Sequence, residues 1–212
     1  MRSEPGTAQL FVLTGVQAAG KTTVGRGLAM RFTRGVFIEG DAVREMVVRG
    51  RVEMSPEPSA EALAQLSLRY GAQALLAGQY FDAGFTVVVE DVILGRHLDE
   101  YVAGLGDRPV HLVVLAPDAA TAAGRDAGRG KRAYLGNWTV AQLDDVLRHR
   151  TPRRGLWLDN SRLTVDETVD AILGRRAEAA LVRAGGAQRG TVSAPLTPAP
   201  AAGGNAWAEP AE

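Results

Sequence analysis

Short apolar runs alternate along this chain with segments in which apolar residues recur at helical spacing. Five runs suit buried β-strands and cover residues 10–13, 36–38, 85–89, 110–115 and 156–159. Helices are predicted between them where apolar residues recur every three or four positions, as at Val24, Leu28 and Phe32. This alternation predicts an α/β fold, a doubly wound parallel sheet of five strands, with a site at the carboxyl ends of the strands.

The longest helical pattern covers residues 63–81, and we expect that helix to cover the substrate side of the sheet. Shorter helices are predicted at residues 97–102 and around residues 140–147. Thr164 and Glu167 form a capping-box pattern, which opens a helix that extends to residue 173. After about residue 183 the chain is rich in Gly, Ala and Pro with little periodicity. We therefore predict one domain at residues 1–183 and a disordered tail at residues 184–212.

A glycine-rich loop lies between the first strand and the first helix. It matches the phosphate-binding pattern G-x-x-x-x-G-K-[ST] and comprises Gly15, Val16, Gln17, Ala18, Ala19, Gly20, Lys21, Thr22 and Thr23. Its glycines allow backbone N–H groups to converge on phosphate oxygens at the positive end of a helix. We expect Lys21 to reach the β and γ phosphates and the Thr22 hydroxyl to bind Mg²⁺.

Composition supports this interpretation of Lys21 and narrows the partners. The chain has 24 basic residues but only two lysines, Lys21 and Lys131, so arginine serves almost everywhere that only a positive charge is needed. The 212 residues suit one domain, and a formal net charge of zero argues against a nucleic-acid partner. Without cysteine, a signal-peptide core or an apolar run of membrane length, we expect a cytoplasmic monomer or homodimer that binds a small molecule and no membrane.

Acidic residues follow two predicted strands at the edge of the sheet where the phosphate loop opens. Glu39 and Asp41 follow the second strand, with Arg44 one turn later, and Glu90 and Asp91 end the third. Because parallel strands deliver their carboxyl ends to one edge, these groups should lie near the phosphates. Other interpretations stay open at this point: a helix cap for Asp41, a surface residue for Arg44, and an ordinary turn for Glu90 and Asp91.

A basic, glycine-rich stretch at residues 124–132 predicts a mobile, arginine-rich lid. Together with the phosphate loop, the strand end at residues 39–41 and the run at residues 87–95, it resembles chloramphenicol 3-O-phosphotransferase and its P-loop kinase relatives, the gluconate and shikimate kinases. The resemblance covers about residues 11–173 and implies phosphoryl transfer from ATP to a hydroxyl. It also implies that Arg125 packs on adenine, that Arg129 or Arg132 contacts the phosphates, and that Asn160 holds the adenine edge.

Phosphoryl transfer gives the remaining groups their expected roles. We expect Glu39 or Asp91 to hold magnesium-bound waters, because Mg²⁺ keeps several waters and few direct carboxylates. Asp41 is predicted to orient and deprotonate the acceptor hydroxyl, with Arg44 and Asp91 beside the substrate. If the extended conformation continues beyond the strand, Glu39 and Asp41 point the same way. The predicted catalytic residues are Asp41, Lys21, Arg129 and Arg132.

The sequence leaves the acceptor open. A hydroxyl-bearing antibiotic is one class, and a metabolite such as a sugar acid or a nucleoside is the other. A P-loop ATPase or regulatory module is a further hypothesis, in which Glu90 and Asp91 hold magnesium and polarise water. A GTPase is set aside, because both lysines follow a glycine and neither belongs to an Asn-Lys-x-Asp motif.

Overall fold

A computed structural model of the protein describes residues 7–127 and 138–181. Five strands form one sheet in which every described pairing is parallel. The strands are β1 (Leu10–Gly15), β2 (Gly35–Glu39), β3 (Thr86–Glu90), β4 (Val110–Leu115) and β5 (Leu156–Leu158). Their order across the sheet is β2-β3-β1-β4-β5. The predicted doubly wound five-stranded sheet is confirmed.

Helices connect the strands and cover both faces of the sheet. They are α1 (Lys21–Ala29), α2 (Gly40–Glu45), α3 (Ala60–Asp82), α4 (His97–Gly104), α5 (Ala119–Ala127), α6 (Val140–Asp145), α7 (Val165–Gly174) and α8 (Arg176–Ala179). A π-helical turn, Val146–Arg150, continues α6. The predicted capping box at the start of α7 is present, since the Thr164 hydroxyl accepts from the Glu167 N–H and the Glu167 carboxylate accepts from Thr164. Among the described residues, no helix has the length and apolar character needed to cross a bilayer.

The sheet separates two apolar clusters because successive strand residues point to opposite faces. One cluster packs α1 and α7 on the face that includes Phe11 and Val88. The other packs α3 and α4 on the face that includes Val12 and Val89. β1 lies between β3 and β4, so the connections on its two sides run in opposite directions and leave a crevice at its carboxyl end. The phosphate loop begins there, at Gly15.

The part of the predicted lid that the structure describes is helical. Gly124 and Arg125 belong to α5, which continues to Ala127, rather than to a glycine-rich loop. The alanines around Gly124 favour the helix and offset the poor propensity of one glycine. Arg129, Arg132 and the other residues of the predicted lid after Ala127 lie outside the described residues, as does the predicted tail at residues 184–212.

Candidate active site

The phosphate loop has the backbone geometry that its sequence predicts. Gly15 and Gly20 have positive φ angles of 148° and 92°, and a Cβ on Gly15 would collide with the carbonyl of Leu115. Ala18 also has a positive φ, 61°, which is uncommon for a residue with a side chain. Gly20 caps α1 without a side-chain hydrogen bond, so the first N–H groups of that helix face the loop. This arrangement suits an anion at the helix N-terminus.

Lys21 and Thr22 begin α1 at the open edge of the sheet. The Lys21 side chain is buried, and its Nζ donates to the carbonyl of Val16 at 3.0 Å. The Thr22 Oγ1 donates to Glu90 Oε1 at 3.1 Å. The ammonium of Lys21 and the hydroxyl of Thr22 are therefore held next to the loop whose N–H groups suit phosphate.

Glu90 is the acidic residue that the structure brings to Thr22. It ends β3 on the face that carries Val88, and only 4% of its surface is exposed. Burial raises the pKa of the Glu90 carboxyl to about 7; the nearby Lys21 ammonium opposes this shift, and the Asp91 carboxylate adds to it. The sequence analysis gave Glu90 a role only in the ATPase hypothesis. Strand alternation could have shown that Glu90 lies on the same face of the sheet as Val88.

Asp91 lies on the opposite face of the sheet and contacts α3. Its Oδ2 accepts from Gln73 Nε2 at 2.6 Å and lies 3.0 Å from Arg69 Nε, while its Oδ1 accepts from the N–H of Val92 at 2.7 Å. Two residues that the sequence analysis missed, Arg69 and Gln73, thus hold Asp91. Gln73 had a detectable signal, because a polar residue occupies the apolar spacing of α3 between Tyr70 and Ala77.

Glu39 and Asp41 do not share a direction, because the extended conformation stops at Glu39 and α2 begins at Gly40. Glu39 is paired across the sheet with Glu90, and its carboxylate bonds Arg26 at 2.8 Å. Asp41 lies in the first turn of α2, with Oδ1 3.2 Å from Arg44 Nε and 70% of its side chain exposed. The helix-cap interpretation of Asp41 is wrong, since the N-cap is Glu39.

The acidic and basic groups at the ends of β2 and β3 form one neighbourhood. A Cβ on Gly40 would collide with the Asp91 carboxylate, so Asp91 lies directly against the backbone beside Asp41. Burial works against the charge of Arg69, but the carboxylates of Asp91 and Asp41 and a hydrogen bond with Tyr70 together outweigh it, so the pKa of Arg69 lies above its ordinary value. Asp41, Arg44, Arg69 and Asp91 therefore line the same end of the sheet.

A cavity of about 380 Å³ opens on the other side of the phosphate loop, between α1 and α7. Its lining includes Gly20, Thr23, Arg125 and Asn160. Arg125 Nη2 donates to the Asn160 carbonyl at 2.9 Å, and Asn160 Nδ2 donates to the Ala19 carbonyl at 3.0 Å. The Asn160 Oδ1 is buried with no hydrogen-bond partner among the described residues. The structure thus brings Arg125 and Asn160 together beside the loop, with one acceptor atom unpaired.

The residues at the loop fit a magnesium ion bound with phosphates. In the described part of the chain, no three His, Cys, Asp or Glu side chains gather as a metal site of their own. Mg²⁺ at phosphoryl-transfer sites needs no such cage, because substrate phosphates and waters supply most of its ligands. The Thr22 hydroxyl and the buried Glu90 carboxylate are oxygen donors of the type that Mg²⁺ takes.

Comparison with known proteins supports the fold. A comparison with curated protein sequences finds no match. Solved structures with this fold include a sugar kinase from Janibacter sp. HTCC2649, with 22% identity, a TM-score of 0.60, and coverage of 81% of this chain and 96% of that one. A gluconokinase from Sinorhizobium meliloti 1021 has 20% identity, a TM-score of 0.55, and coverage of 81% and 93%. The Mycobacterium tuberculosis APS kinase CysC in complex with AMPPNP and APS has 18% identity, a TM-score of 0.56, and coverage of 80% and 98%.

The gluconate kinase relatives implied by the sequence are represented in this group, and the narrower resemblance to chloramphenicol 3-O-phosphotransferase stays a prediction. The model of the AAA domain family matches residues 10–153, a span that includes the phosphate loop, the strand-end carboxylates and Arg125. With most of its length matched and with the sheet order and phosphate loop described above, the chain belongs to the AAA domain family and has the fold of the P-loop kinases.

Proposed function

We propose that the protein is an ATP-dependent phosphotransferase that moves the γ-phosphoryl group to a hydroxyl of a small molecule. The observation that carries the proposal is the position of the phosphate loop, which lies between a cavity lined by Arg125 and Asn160 and the charged groups around Asp41. A nucleotide with its base in the cavity would place its phosphates at Lys21, where an acceptor on the other side of the loop would meet them. The sugar kinase, the gluconokinase and the AMPPNP complex of the APS kinase support this class of reaction.

Each side chain has a definable task in that reaction. The loop N–H groups and Lys21 bind the phosphate oxygens and stabilise the charge that develops between the β and γ positions. Thr22 and Glu90 would hold a magnesium ion, which would supply further charge neutralisation at the phosphates. Asp41 orients the acceptor hydroxyl and takes its proton as the oxygen bonds the γ phosphorus and the bond to the β-phosphate oxygen breaks, which releases ADP. Arg129 and Arg132 remain proposed as cations for the transferring group.

Two acceptor classes remain proposals: hydroxyl-bearing antibiotics, and metabolites such as sugar acids or nucleosides. The sugar kinase and the gluconokinase support the metabolite class. The contact between Thr22 and Glu90 would also suit a P-loop ATPase, because a carboxylate at the magnesium site can polarise water. We also propose a cytoplasmic location, a monomer or homodimer, and no nucleic-acid partner.

The decisive experiment measures ADP release from ATP and Mg²⁺ in the presence of a panel of hydroxyl-bearing antibiotics and metabolites, with the phosphorylated position of any product determined. We expect release that depends on one acceptor class, and the loss of most transfer in a folded Lys21→Ala variant. ADP release at the same rate without any acceptor would identify an ATPase. Near-normal transfer by Lys21→Ala would contradict the assignment of the loop.

A further inference from the structure

The side chains on the acceptor side of the phosphate loop are already joined in ion pairs. We call Asp41, Arg44, Glu53, Arg69 and Asp91 the acceptor cluster. Arg44 lies 3.2 Å from Asp41 through Nε and 2.6 Å from Glu53 through Nη1. Arg69 lies 3.0 Å from Asp91 through Nε. Both arginines of the acceptor cluster therefore have carboxylate partners within the protein.

The pair of Arg69 and Asp91 is buried enough to resist exchange with a ligand, whereas the Arg44 guanidinium is itself mostly buried but its partners Asp41 and Glu53 are 70% and 36% exposed. The exposed fractions of the Arg44 and Arg69 side chains are 16% and 14%, and that of the Asp91 side chain is 4%. Gln73 and the N–H of Val92 hold the Asp91 carboxylate in addition. An acidic ligand that took Arg69 from Asp91 would leave a buried carboxylate without its counter-ion, which is strongly unfavourable.

The charge balance of the region also disfavours an anion. Among the described residues, the ion pairs around Arg44 and Arg69 join three arginines to four carboxylates: Arg44, Arg51 and Arg69 with Asp41, Glu45, Glu53 and Asp91. Arg49, in the same loop, is exposed and makes no ion pair with this group. An acceptor that carries a carboxylate or phosphate here would add a like charge to an existing excess.

Resting on the phosphotransferase proposal above, we propose that the acceptor is an uncharged polyhydroxy compound rather than an acid. Each hydroxyl can donate to a carboxylate and accept from a guanidinium at once, so neighbouring hydroxyls match arginine–carboxylate pairs that stay intact. Asp41, the most exposed member of the acceptor cluster, takes the reacting hydroxyl. The terminal nitrogens of Arg69 donate to a second one.

Matched pairs of acceptors that differ in one charge test this proposal. Glucitol with gluconate, mannitol with mannonate, and methyl shikimate with shikimate are assayed with ATP and Mg²⁺, and the phosphorylated products are quantified by mass spectrometry. We expect the neutral member of a pair to exceed the acid by about tenfold or more in kcat/KM, because the acid meets a like charge. Equal or better use of the acids overturns this inference and leaves the phosphotransferase intact. No product from these compounds or from the wider panel of antibiotics and metabolites overturns both.

A variant of the acceptor cluster adds an internal control. Glu53→Gln removes one partner of Arg44 and Arg51 and makes the region less acidic, so the preference for neutral over acidic acceptors should fall several-fold. Glu57→Gln makes the same chemical change in the same loop, at an exposed carboxylate with no ion pair in the described part of the chain, and should leave the ratio unchanged. An unchanged ratio in Glu53→Gln, or an equal fall in both variants, contradicts the proposal.

Discussion

The Glu90 carboxylate lies where its charge lowers the stability of the fold and where we propose that it helps to bind magnesium. Its pKa rises from an ordinary 4.5 to about 7 because it is buried, although Thr22 and Lys21 favour its charged form. Between these two values the unfolded chain loses the proton while the folded chain keeps it, so this group makes the protein less stable as the pH rises through that window. A shift of this size corresponds to about 1.4 kcal/mol per pKa unit.

Glu90→Gln should therefore become more stable relative to the parent as the pH rises from 5 to 8, while phosphoryl transfer falls by about 10- to 100-fold, as for a lost magnesium-orienting group. Stability is measured by urea unfolding without nucleotide or Mg²⁺, and transfer by ADP release with both. A gain in stability together with a loss of transfer would show that the carboxylate serves function rather than structure. A variant that is less stable than the parent at pH 8 would identify Glu90 mainly as a structural partner of Thr22.

Asp41 is the second residue whose removal should affect chemistry more than folding. Its side chain is 70% exposed, and an exposed ion pair such as its contact with Arg44 contributes about 0 to 1 kcal/mol. Asp41→Asn should therefore fold and bind ATP normally but lose transfer by ~10²- to 10⁴-fold, the usual cost of a missing general base. Glu45→Gln is the matched control, because Glu45 is an exposed α2 carboxylate that also faces Arg44. If Asp41→Asn transfers phosphate at a rate within a few-fold of the control, the general base must be another carboxylate.

The sequence could place the carboxylates at the correct sheet edge but could not decide which of two adjacent carboxylates faces the phosphate loop. Glu90 and Asp91 are adjacent, and strand alternation sends one to each face of the sheet. Which face carries α1 is a property of the tertiary packing, so the sequence analysis named Asp91 among the magnesium candidates of the phosphotransferase and Glu90 only in the ATPase hypothesis. The sequence could not predict the ion pairs of Arg69 and Arg44 either, because their partners come from distant elements or an irregular loop.

At the scale of elements, the predictions followed local signals and failed where packing overrides them. The apolar runs and the capping box at Thr164 gave strands and a helix close to their observed bounds. The sequence analysis left open whether the extended conformation continues to Asp41 or a helix begins there, and the answer depends on tertiary packing: Gly40 packs against Asp91 so closely that a Cβ would collide with the carboxylate. The backbone therefore leaves the strand direction at residue 40, and Glu39 and Asp41 diverge.

The loop between β5 and α7 is joined to the phosphate loop and α5 by one side chain. Asn160 donates to the Ala19 carbonyl, receives Arg125 at its own carbonyl, and keeps a buried, unpaired Oδ1 next to the cavity. Asn160→Ala should weaken ATP binding by about tenfold, because a hydrogen bond to a buried partner is lost. GTP should be affected less, since an amide oxygen can accept from the exocyclic amine of adenine but not from the guanine carbonyl at the same position.

Isothermal titration of both nucleotides checks this prediction, with Ser161→Ala as the control. Ser161 lies in the same loop and bonds Asp118 and Asp159 rather than the phosphate loop. Its loss should lower stability slightly and leave the ratio of ATP to GTP affinity as in the parent. Equal weakening of both nucleotides in Asn160→Ala would show that the residue only supports the loop.

At the scale of the whole molecule, the strand order separates the two halves of the reaction. β2 and β3 lie on one side of β1 and deliver Asp41, Glu90 and Asp91, whereas β4 and β5 lie on the other side and lead to Arg125 and Asn160. The phosphate loop follows the strand between them. The strand order therefore puts the cavity proposed for adenine and the proposed acceptor site on opposite sides of Lys21, which sets the direction of the proposed transfer.

The C-terminal edge of the domain gives the last prediction. The N–H of Leu181 donates to the Val110 carbonyl at 2.9 Å, Ala180 pairs with His111, and Ala179 is fully buried. These contacts attach α8 to β4, whose carboxyl end leads to α5 and the cavity proposed for adenine. The residues after Arg183 are rich in Gly, Ala and Pro and offer little apolar surface for burial.

Truncation after Arg183 should therefore leave ATP binding and transfer unchanged, with a melting temperature close to that of the full chain. Truncation after Arg175 removes α8 together with the Leu181 contact and should lower the melting temperature by several degrees, because each lost kcal/mol shifts a domain of this size by about 2–4 °C. Both truncated proteins are compared with the full chain by thermal unfolding and by ADP release. A marked loss of stability or activity on truncation after Arg183 would show that residues beyond it pack on the domain. An unchanged melting temperature after Arg175 would show that α8 contributes nothing to holding β4.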